Sequence, residues 1–284
     1  MMKPKGALDL IEEAIAELRT APAGVWISYY AGSFLFVLCL LYFWADMSRS
    51  AFAHRHVAES AFGVSLLYIW MKCWQSVFAS RMYDRLLPGR QARRSASRIN
   101  VLRLILIQAI LQPYSLFLLP LAFIVFLPFG WVYAHFHNIS LIGNGGTTDV
   151  RAVWRKSWKL ALLWPAQNHR LILILSLFSI VLFLNVAVVI FFIPQLIRTL
   201  FGIESAFTMS PLQALNTTFL TVVCGVTYLL VNPLLKTVYV LRCFYGESVH
   251  SGADLIAELN LAPPEVRSPA DSSKRGEVRS EMER

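Results

Sequence analysis

Uncharged apolar blocks long enough to cross a lipid bilayer recur along this chain. The first spans residues 24–45, with Trp26 near its start and Trp44 near its finish. A bilayer core of about 30 Å needs roughly 20 apolar residues in a helix, and tryptophans favour the headgroup level. Only 15% of the residues are charged, against about a quarter in soluble domains. The sequence therefore predicts an integral membrane protein of the all-α class.

The apolar blocks predict a polytopic transmembrane helical bundle of about six passes within residues 23–261. The predicted passes are residues 24–45, 57–80, 101–118, 120–142, 171–194 and 212–235. An interfacial amphipathic helix is predicted at 1–22, a basic amphipathic helix at 148–164 and a disordered tail at 262–284.

Positive charge is concentrated in two clusters beside the apolar blocks. Seven arginines and one acid lie in residues 81–103, and a second cluster follows at 151–170. Lys and Arg are enriched in the cytoplasmic loops of membrane proteins, so both clusters are predicted to be cytoplasmic. The connections 46–56 and 195–211 are nearly neutral and are predicted to lie outside. Both termini then fall on the cytoplasmic side of the cell membrane.

The apolar stretch 101–143 begins and ends beside these two clusters. A segment with both ends on one side must cross an even number of times, so we predict a tight hairpin, either fully crossing or re-entrant. Proline removes a backbone donor and kinks a helix, and Pro113 and Pro120 flank the predicted apex. The alternative is five passes with one loop that violates the charge rule.

Two short segments are amphipathic. In residues 7–20 the predicted apolar face consists of Leu8, Ile11, Ile15 and Leu18. The opposite face is acidic, so the basic cytoplasmic surface of the same protein is its predicted docking partner. The segment 148–164 is basic and contains tryptophans, which is typical of a helix lying on an anionic leaflet. Thr148 or Asp149 is its predicted N-cap.

The sequence lacks the motifs of common nucleotide, metal and hydrolase sites. The four cysteines are isolated and the six histidines are scattered, so neither a metal nor a cofactor is predicted. The net charge of +9 raises nucleic acid as a partner. Because the bases lie beside apolar blocks, anionic lipid headgroups are the simpler counterpart, together with a membrane protein partner. No enzyme is predicted, since no nucleophile–base pair is visible.

Polar residues in or beside the apolar blocks are the candidate contacts for a lipid or a partner, because a charge at membrane depth is a functional hypothesis by default. The candidates are Lys72, Gln75, Gln108, Gln112, Asn216, Asn232, Lys236 and Arg242. Lys72 either snorkels to the cytoplasmic headgroups or has a buried partner such as Gln75, Gln108 or Gln112. Lys236 and Arg242 are expected at the inner headgroups, as an interfacial anchor or as a site for a lipid headgroup or partner.

Residues 232–255 read NPLLKTVYVLRCFYGESVHSGADL. They resemble the end of the membrane domain of the glycerophosphodiester phosphodiesterase group and of similar bacterial multi-pass proteins. In those proteins a proline-bearing last span leads into a stretch with tyrosine and arginine. The arginine run of the group appears here as Val240-Leu241-Arg242, without its acid. The resemblance implies a helical membrane domain and carries no catalytic residue over, and no segment is expected to hold the catalytic barrel.

The predicted function is that of a non-enzymatic scaffold or accessory component of a bacterial membrane. The alternative is a transporter or a lipid-handling membrane protein. Asp46 and Glu59 lie only at the outer edges of the apolar blocks, which argues against a proton-coupled transporter. A polar cavity lined by Lys72, Gln108, Gln112 and Asn216 would favour transport, and a solidly packed bundle with these residues paired would favour scaffolding.

Overall fold

A computed structural model describes residues 5–86, 101–125, 129–142, 149–202 and 216–251. Within these ranges the chain is helical apart from short connections and contains no strand, so the predicted all-α class is confirmed. The helices are α1 (Ala7–Arg19), α2 (Ala23–Arg49), α3 (Val57–Leu86), α4 (Val101–Leu111), α5 (Pro113–Val125), α6 (Phe129–Ile142), α7 (Val150–Leu162), α8 (Pro165–Phe201) and α9 (Thr217–Ser251). The predicted tail at 262–284 lies outside the described residues.

Four helical segments are both long and apolar enough to cross a membrane. They are α2, the Leu104–Val125 part of α4 and α5, α8 and α9. These segments identify a helical membrane protein. The helix α3 has 30 residues, or about 45 Å at 1.5 Å per residue, and it pairs with α2. The count of six passes stays a prediction.

The helices α2 and α3 pack closely side by side. A Cβ built on Gly32 of α2 would lie 2.6 Å from the Cβ of Trp74 and 3.1 Å from the Cα of Met71. A larger residue would push the helices apart, since small residues are what allow such close approach. At the other end of the pair, Nε2 of His56 lies 2.6 Å from Oδ2 of Asp46. The two helices therefore form one unit.

The helices α4 and α5 run antiparallel to α6. Nε2 of Gln112 donates to Oγ of Ser140 at 3.3 Å, and the rings of Phe123 and Phe129 lie 5.5 Å apart. In each pair, the two residues are equally far along the chain from one point just after the end of α5. The apolar stretch therefore folds back on itself as a hairpin.

The apex of this hairpin is not where the prolines predict it, and the expectation of residues 113–120 is wrong. Pro113 occupies the first position of α5, where a helix makes no use of the backbone N–H. Pro120 lies inside α5, and only a bend at Gln112 separates α4 from α5. The reversal lies between α5 and α6. The 14 residues of α6 give about 21 Å of helix, whereas Leu104–Val125 is long enough to cross, so the choice between a fully crossing and a re-entrant hairpin stays open.

The amphipathic helix α1 packs on α8 and α9. Its buried side chains are Ala7, Leu10, Ala14 and Leu18. The first three join a cluster with Leu171, Leu175, Val238 and Leu241, and Leu18 belongs to a second core cluster. The predicted apolar face is wrong in part, because Leu8 is 59% exposed and Ile15 is 43% exposed. That prediction weighs large apolar residues only, whereas the small alanines let the backbone of α1 approach its neighbours.

The acidic side of α1 docks on basic residues. Oε2 of Glu17 lies 3.3 Å from Nη2 of Arg85, which belongs to the first arginine cluster. Glu13 lies 3.2 Å from Nζ of Lys5 and accepts a 2.7 Å hydrogen bond from Tyr245. Partial burial lowers the pKa of Lys5, but hydrogen bonds to Tyr245 and Glu13 outweigh it, so the pKa is raised. The helix α1 therefore docks on its own protein, where Arg85 is its contact in the first arginine cluster, and the cytoplasmic side of this surface stays a prediction.

The helix α7 begins at the predicted N-cap, because Oδ1 of Asp149 accepts a 2.9 Å hydrogen bond from the N–H of Arg151. On its inner side, Nδ2 of Asn138 in α6 donates to the carbonyl of Ser157 at 3.2 Å. Its basic row consists of Arg151, Arg155 and Lys159. This row is exposed, as contact with anionic headgroups would require.

Candidate functional site

Polar side chains form a stripe on each of three helices that meet in the bundle. The stripes are Tyr68, Lys72 and Gln75 on α3, Tyr133, His137 and Ser140 on α6, and Tyr228, Asn232 and Lys236 on α9. A spacing of three or four residues places each trio on one helical face. Because each of these helices packs against the other two, polar groups from all three come together.

The first hydrogen-bond network is centred on Ser140 of α6. Nζ of Lys236 donates to its Oγ at 3.1 Å, and Nε2 of Gln112 donates to the same oxygen at 3.3 Å. The hydroxyl of Ser76 donates to the carbonyl of Ser140. Nε2 of Gln108 in turn donates to Oγ of Ser76 at 3.4 Å. All of these side chains are buried, so the network holds the Lys236 ammonium in a fixed place.

The second network is centred on the hydroxyl of Tyr228. It accepts hydrogen bonds from Nε2 of Gln75 at 2.7 Å and from Nδ2 of Asn232 at 3.2 Å. Nδ2 of Asn232 also donates to the hydroxyl of Tyr29 at 3.0 Å. The amide of Gln75 reaches Oγ of Ser33 on α2 at 3.2 Å. This network ties α2, α3 and α9 together around a polar centre.

Between the two networks lies a cavity of about 150 Å³. It is lined by Lys72, Ser115, Leu119, Tyr133, Phe136, His137, Tyr228, Asn232 and Lys236. Two lysines are among these residues, and none of them is a carboxylate. The ring of His137 stacks on Tyr239 at 4.6 Å, and its Nδ1 is buried without a hydrogen-bond partner among the described residues. The cavity therefore carries an excess of positive charge and hydrogen-bond donors.

Lys72 points into the bundle rather than toward the basic end of its helix. The helix α3 continues to Leu86, which places Lys72 about 21 Å from that end at 1.5 Å per residue. Its Nζ lies 5.1 Å from the ring centroid of Tyr68, one turn toward the N-terminus of α3. This direction leads away from the first arginine cluster. The geometry therefore opposes snorkelling to the cytoplasmic headgroups.

Lys236 is more deeply buried than Lys72, with only 4% of its surface exposed. An ammonium group has three donors, and Ser140 is the partner of one of them among the residues that the structure describes. Burying a cation without an anionic partner is costly in an apolar medium. Lys236 therefore presents unused donors to the cavity, and an anion bound there would favour its charged form.

Arg242 lies apart from the cavity and caps a helix. It is 3% exposed, and its guanidinium donates to the carbonyls of Leu160, Ala161 and Leu163, the first two at 3.4 and 3.2 Å. These carbonyls end α7, where a helix leaves backbone acceptors unpaired and presents the negative end of its dipole. Arg242 is thus buried among protein groups and is not exposed to lipid headgroups.

The other predicted candidates divide by position. Asn216 lies at the start of α9, where its Oδ1 accepts a 2.9 Å hydrogen bond from the N–H of Phe219. It is a helix cap and does not line the cavity. Gln75 belongs to the second network, and Gln108 and Gln112 belong to the first. None of the three lines the cavity. Only Asn232 and the two lysines of the predicted set line the cavity itself.

Residues that the sequence analysis does not single out complete the site. They are Tyr133, His137, Ser140 and Tyr228. Their signal is the polar stripe at helical spacing within an apolar helix, which becomes visible when hydroxyls and rings are counted beside charges. Taken one by one, each is an ordinary residue of a membrane helix.

Metal and thiol chemistry have no visible basis within the described ranges. No group of three His, Cys, Asp or Glu side chains there is arranged to hold a metal ion. The four cysteines are free, with Cys73 and Cys243 buried and Cys224 exposed.

The chain matches no protein-family model, no curated protein and no solved structure. The resemblance of residues 232–255 to the glycerophosphodiester phosphodiesterase membrane-domain group stays a prediction.

Proposed function

We propose that this membrane protein binds an anionic group in the cavity between α3, α6 and α9, as a lipid-handling or transport protein. The observation that carries the proposal is the pair Lys72 and Lys236, which line one cavity without a carboxylate among its lining residues. The proposal is one of reversible binding, and no covalent step is part of it.

Electrostatics supports an anion as the missing partner. Two ammonium groups that share a small cavity in an apolar medium repel each other, and each has lost much of its hydration. A bound anion replaces repulsion by attraction and accepts hydrogen bonds from the donors of Lys236 that Ser140 does not use. Basic pockets between transmembrane helices are known to take anionic lipid headgroups.

The arrangement supports ligand binding better than the predicted scaffold role. A structural cation is expected to find its acceptors within the protein, as the terminal nitrogens of Arg242 do at three carbonyls. Lys236 keeps donors directed at a cavity, and maintaining them there costs stability. The cavity is the polar space expected for the transport or lipid-handling alternative, although Gln108, Gln112 and Asn216 do not line it.

The proposal is tested by thermal unfolding of the purified protein in an uncharged detergent, with inorganic phosphate as the probe. Phosphate is compared with chloride at equal ionic strength. A ligand at about 100 times its Kd stabilises a protein by roughly 2.7 kcal/mol. We expect phosphate to raise the Tm of the wild type and of Lys159→Met, an exposed lysine on α7.

The Lys236→Met variant is expected to lose this rise in Tm. An equal rise in all three proteins would mean a general salt effect and would overturn the proposal. The absence of any rise in the wild type would overturn the binding of a free anion.

A further inference from the structure

We infer that the bound anion is the small headgroup of a two-chain phospholipid, whose acyl chains occupy two apolar clefts that meet at Tyr228. This inference rests on the proposed anion binding and adds the class of ligand. It is based on the lining residues that the cavity has in common with each of the two clefts.

The first cleft has a volume of about 410 Å³ and lies between α6, α8 and α9. Its apolar lining includes Ile180, Phe183, Val231 and Leu235. Ile180 is 56% exposed, so this cleft reaches the apolar outer surface of the bundle. Pockets of roughly 300 to 1,000 Å³ with such linings hold apolar ligands of drug size.

The second cleft has a volume of about 320 Å³ and lies between α2, α3 and α9. Its apolar lining includes Phe36, Leu40, Leu41 and Met71. Gly225 of α9 also lines it, and a Cβ built there would lie 2.9 Å from Cγ1 of Val37. The glycine therefore keeps α9 close to α2 and leaves no side chain in the cleft.

Both clefts adjoin the polar cavity through shared residues. Tyr228 lines all three spaces. Tyr133 and Asn232 line the cavity and the first cleft, and Lys72 lines the cavity and the second cleft. A single molecule with a polar centre and two apolar arms can therefore contact both lysines and both clefts at once.

The relative sizes of the three spaces favour this class of ligand. The polar cavity of about 150 Å³ is smaller than either apolar cleft. A free inorganic anion would use the cavity alone, and a one-chain amphiphile would use one cleft. A small phosphate headgroup matches the two lysines in charge, since a phosphate monoester carries about −1.5 to −2 at pH 7.

Cys224 gives this inference a direct readout, because it is exposed and lines both clefts. In a Cys39→Ser background the other cysteines, Cys73 and Cys243, are buried. The experiment measures the rate at which a maleimide labels Cys224 in an uncharged detergent. The probes are dioleoyl phosphatidic acid, dioleoyl phosphatidylcholine and one-chain oleoyl lysophosphatidic acid.

Phosphatidic acid is expected to slow labelling about tenfold more than phosphatidylcholine, the difference that one charge-assisted hydrogen bond supplies. Lysophosphatidic acid should protect less, and Lys236→Met should remove the preference for phosphatidic acid. As a matched control, the Cys224→Ser protein labelled at Cys39 should show no lipid dependence, because Cys39 lines neither cleft.

The outcomes separate this inference from the proposed function. Equal protection by both two-chain lipids, or by one-chain and two-chain phosphatidates, would overturn the inference. If inorganic phosphate still raises the Tm in that case, anion binding stands and the ligand is a free anion or another amphiphile. If phosphate fails to raise the Tm but phosphatidic acid protects Cys224 in a Lys236-dependent way, the lipid inference stands and the binding of a free anion is overturned.

Discussion

Two buried basic residues on α9, six residues apart, differ in their hydrogen-bond partners. Arg242 donates to three backbone carbonyls at the end of α7. Lys236 donates to one serine hydroxyl and faces a cavity that it shares with Lys72. The terminal nitrogens of the first cation have acceptors in its own chain, although its buried Nε has no partner among the described residues. Lys236 has donors left for a bound ligand. This difference distinguishes a structural cation from a candidate ligand contact.

The chemistry of the two side chains suits these roles. A guanidinium presents a rigid fork of donors to fixed acceptors, as the carbonyls at a helix end provide. An ammonium group is a compact charge on a flexible stem, which can adjust to a ligand that comes and goes. Removing Arg242 should therefore lower the stability of the protein, whereas removing Lys236 should lower its affinity for the anion.

The largest effect is expected for Arg242→Met. The substitution leaves the carbonyls of Leu160, Ala161 and Leu163 without their donor, and each buried acceptor left unpaired costs about 1 to 3 kcal/mol. The measurement is the free energy of unfolding in detergent. Arg155→Met, at an exposed position of α7, should stay within about 0.5 kcal/mol of the wild type. Equal stability of the two variants would remove the capping role.

The next effect is expected for Lys236→Met, and it concerns binding. Phosphate affinity should fall at least about tenfold, the loss of one charge-assisted hydrogen bond. Stability should be unchanged or higher, because replacing an uncompensated buried charge by an apolar group of similar size removes a desolvation cost. Unfolding and phosphate titration of the same preparation measure both quantities. A loss of stability as large as that of Arg242→Met would make Lys236 a structural cation.

A smaller effect is expected for Lys72→Met, because this lysine is only partly buried. It loses a cation–π contact with Tyr68 worth about 0.5 to 1 kcal/mol and one of the two charges that attract the anion. We expect phosphate affinity to fall by less than in Lys236→Met, with the fold retained. Unchanged affinity in a phosphate titration would exclude Lys72 from the site.

The smallest effect is expected for Glu17→Gln, which removes the ion pair between α1 and Arg85. Both side chains are about a quarter exposed, and exposed pairs contribute roughly 0 to 1 kcal/mol. Hydrogen exchange of the α1 backbone measures the docking of this helix. Little change is expected, since Leu10 and Ala14 hold α1 by burial. Release of α1 in this variant would show that charge dominates its docking.

Local features of the fold follow from the sequence, and contacts between helices do not. The spacing of acids and bases predicts α1, α7 and the docking of α1 near Arg85. It does not predict that alanines form the buried stripe of α1, because that depends on how closely α8 and α9 approach. Pro113 and Pro120 suggest a turn, but the first is tolerated at a helix start and the second lies within α5.

The candidate site was accessible in part from the sequence. Lys72, Asn232 and Lys236 stand out because polar groups are rare at membrane depth. Arg242 stands out for the same reason, and its local sequence does not show that the end of α7 is its partner. The role of Tyr228 follows from three spaces that meet only in the folded bundle. Which polar residues cap a helix and which line the cavity depends on neighbours that are distant in the sequence.

We propose that Lys72 and Lys236 together bind one anion, and equilibrium binding of labelled inorganic phosphate to the purified protein tests this proposal. We expect saturation at a single phosphate per chain for the wild type and for the exposed double variant Arg155→Met/Lys159→Met. We expect no saturable binding for Lys72→Met/Lys236→Met, which has lost the same net charge. Equal loss of binding in both double variants, or equal retention, would exclude a shared site at the two lysines.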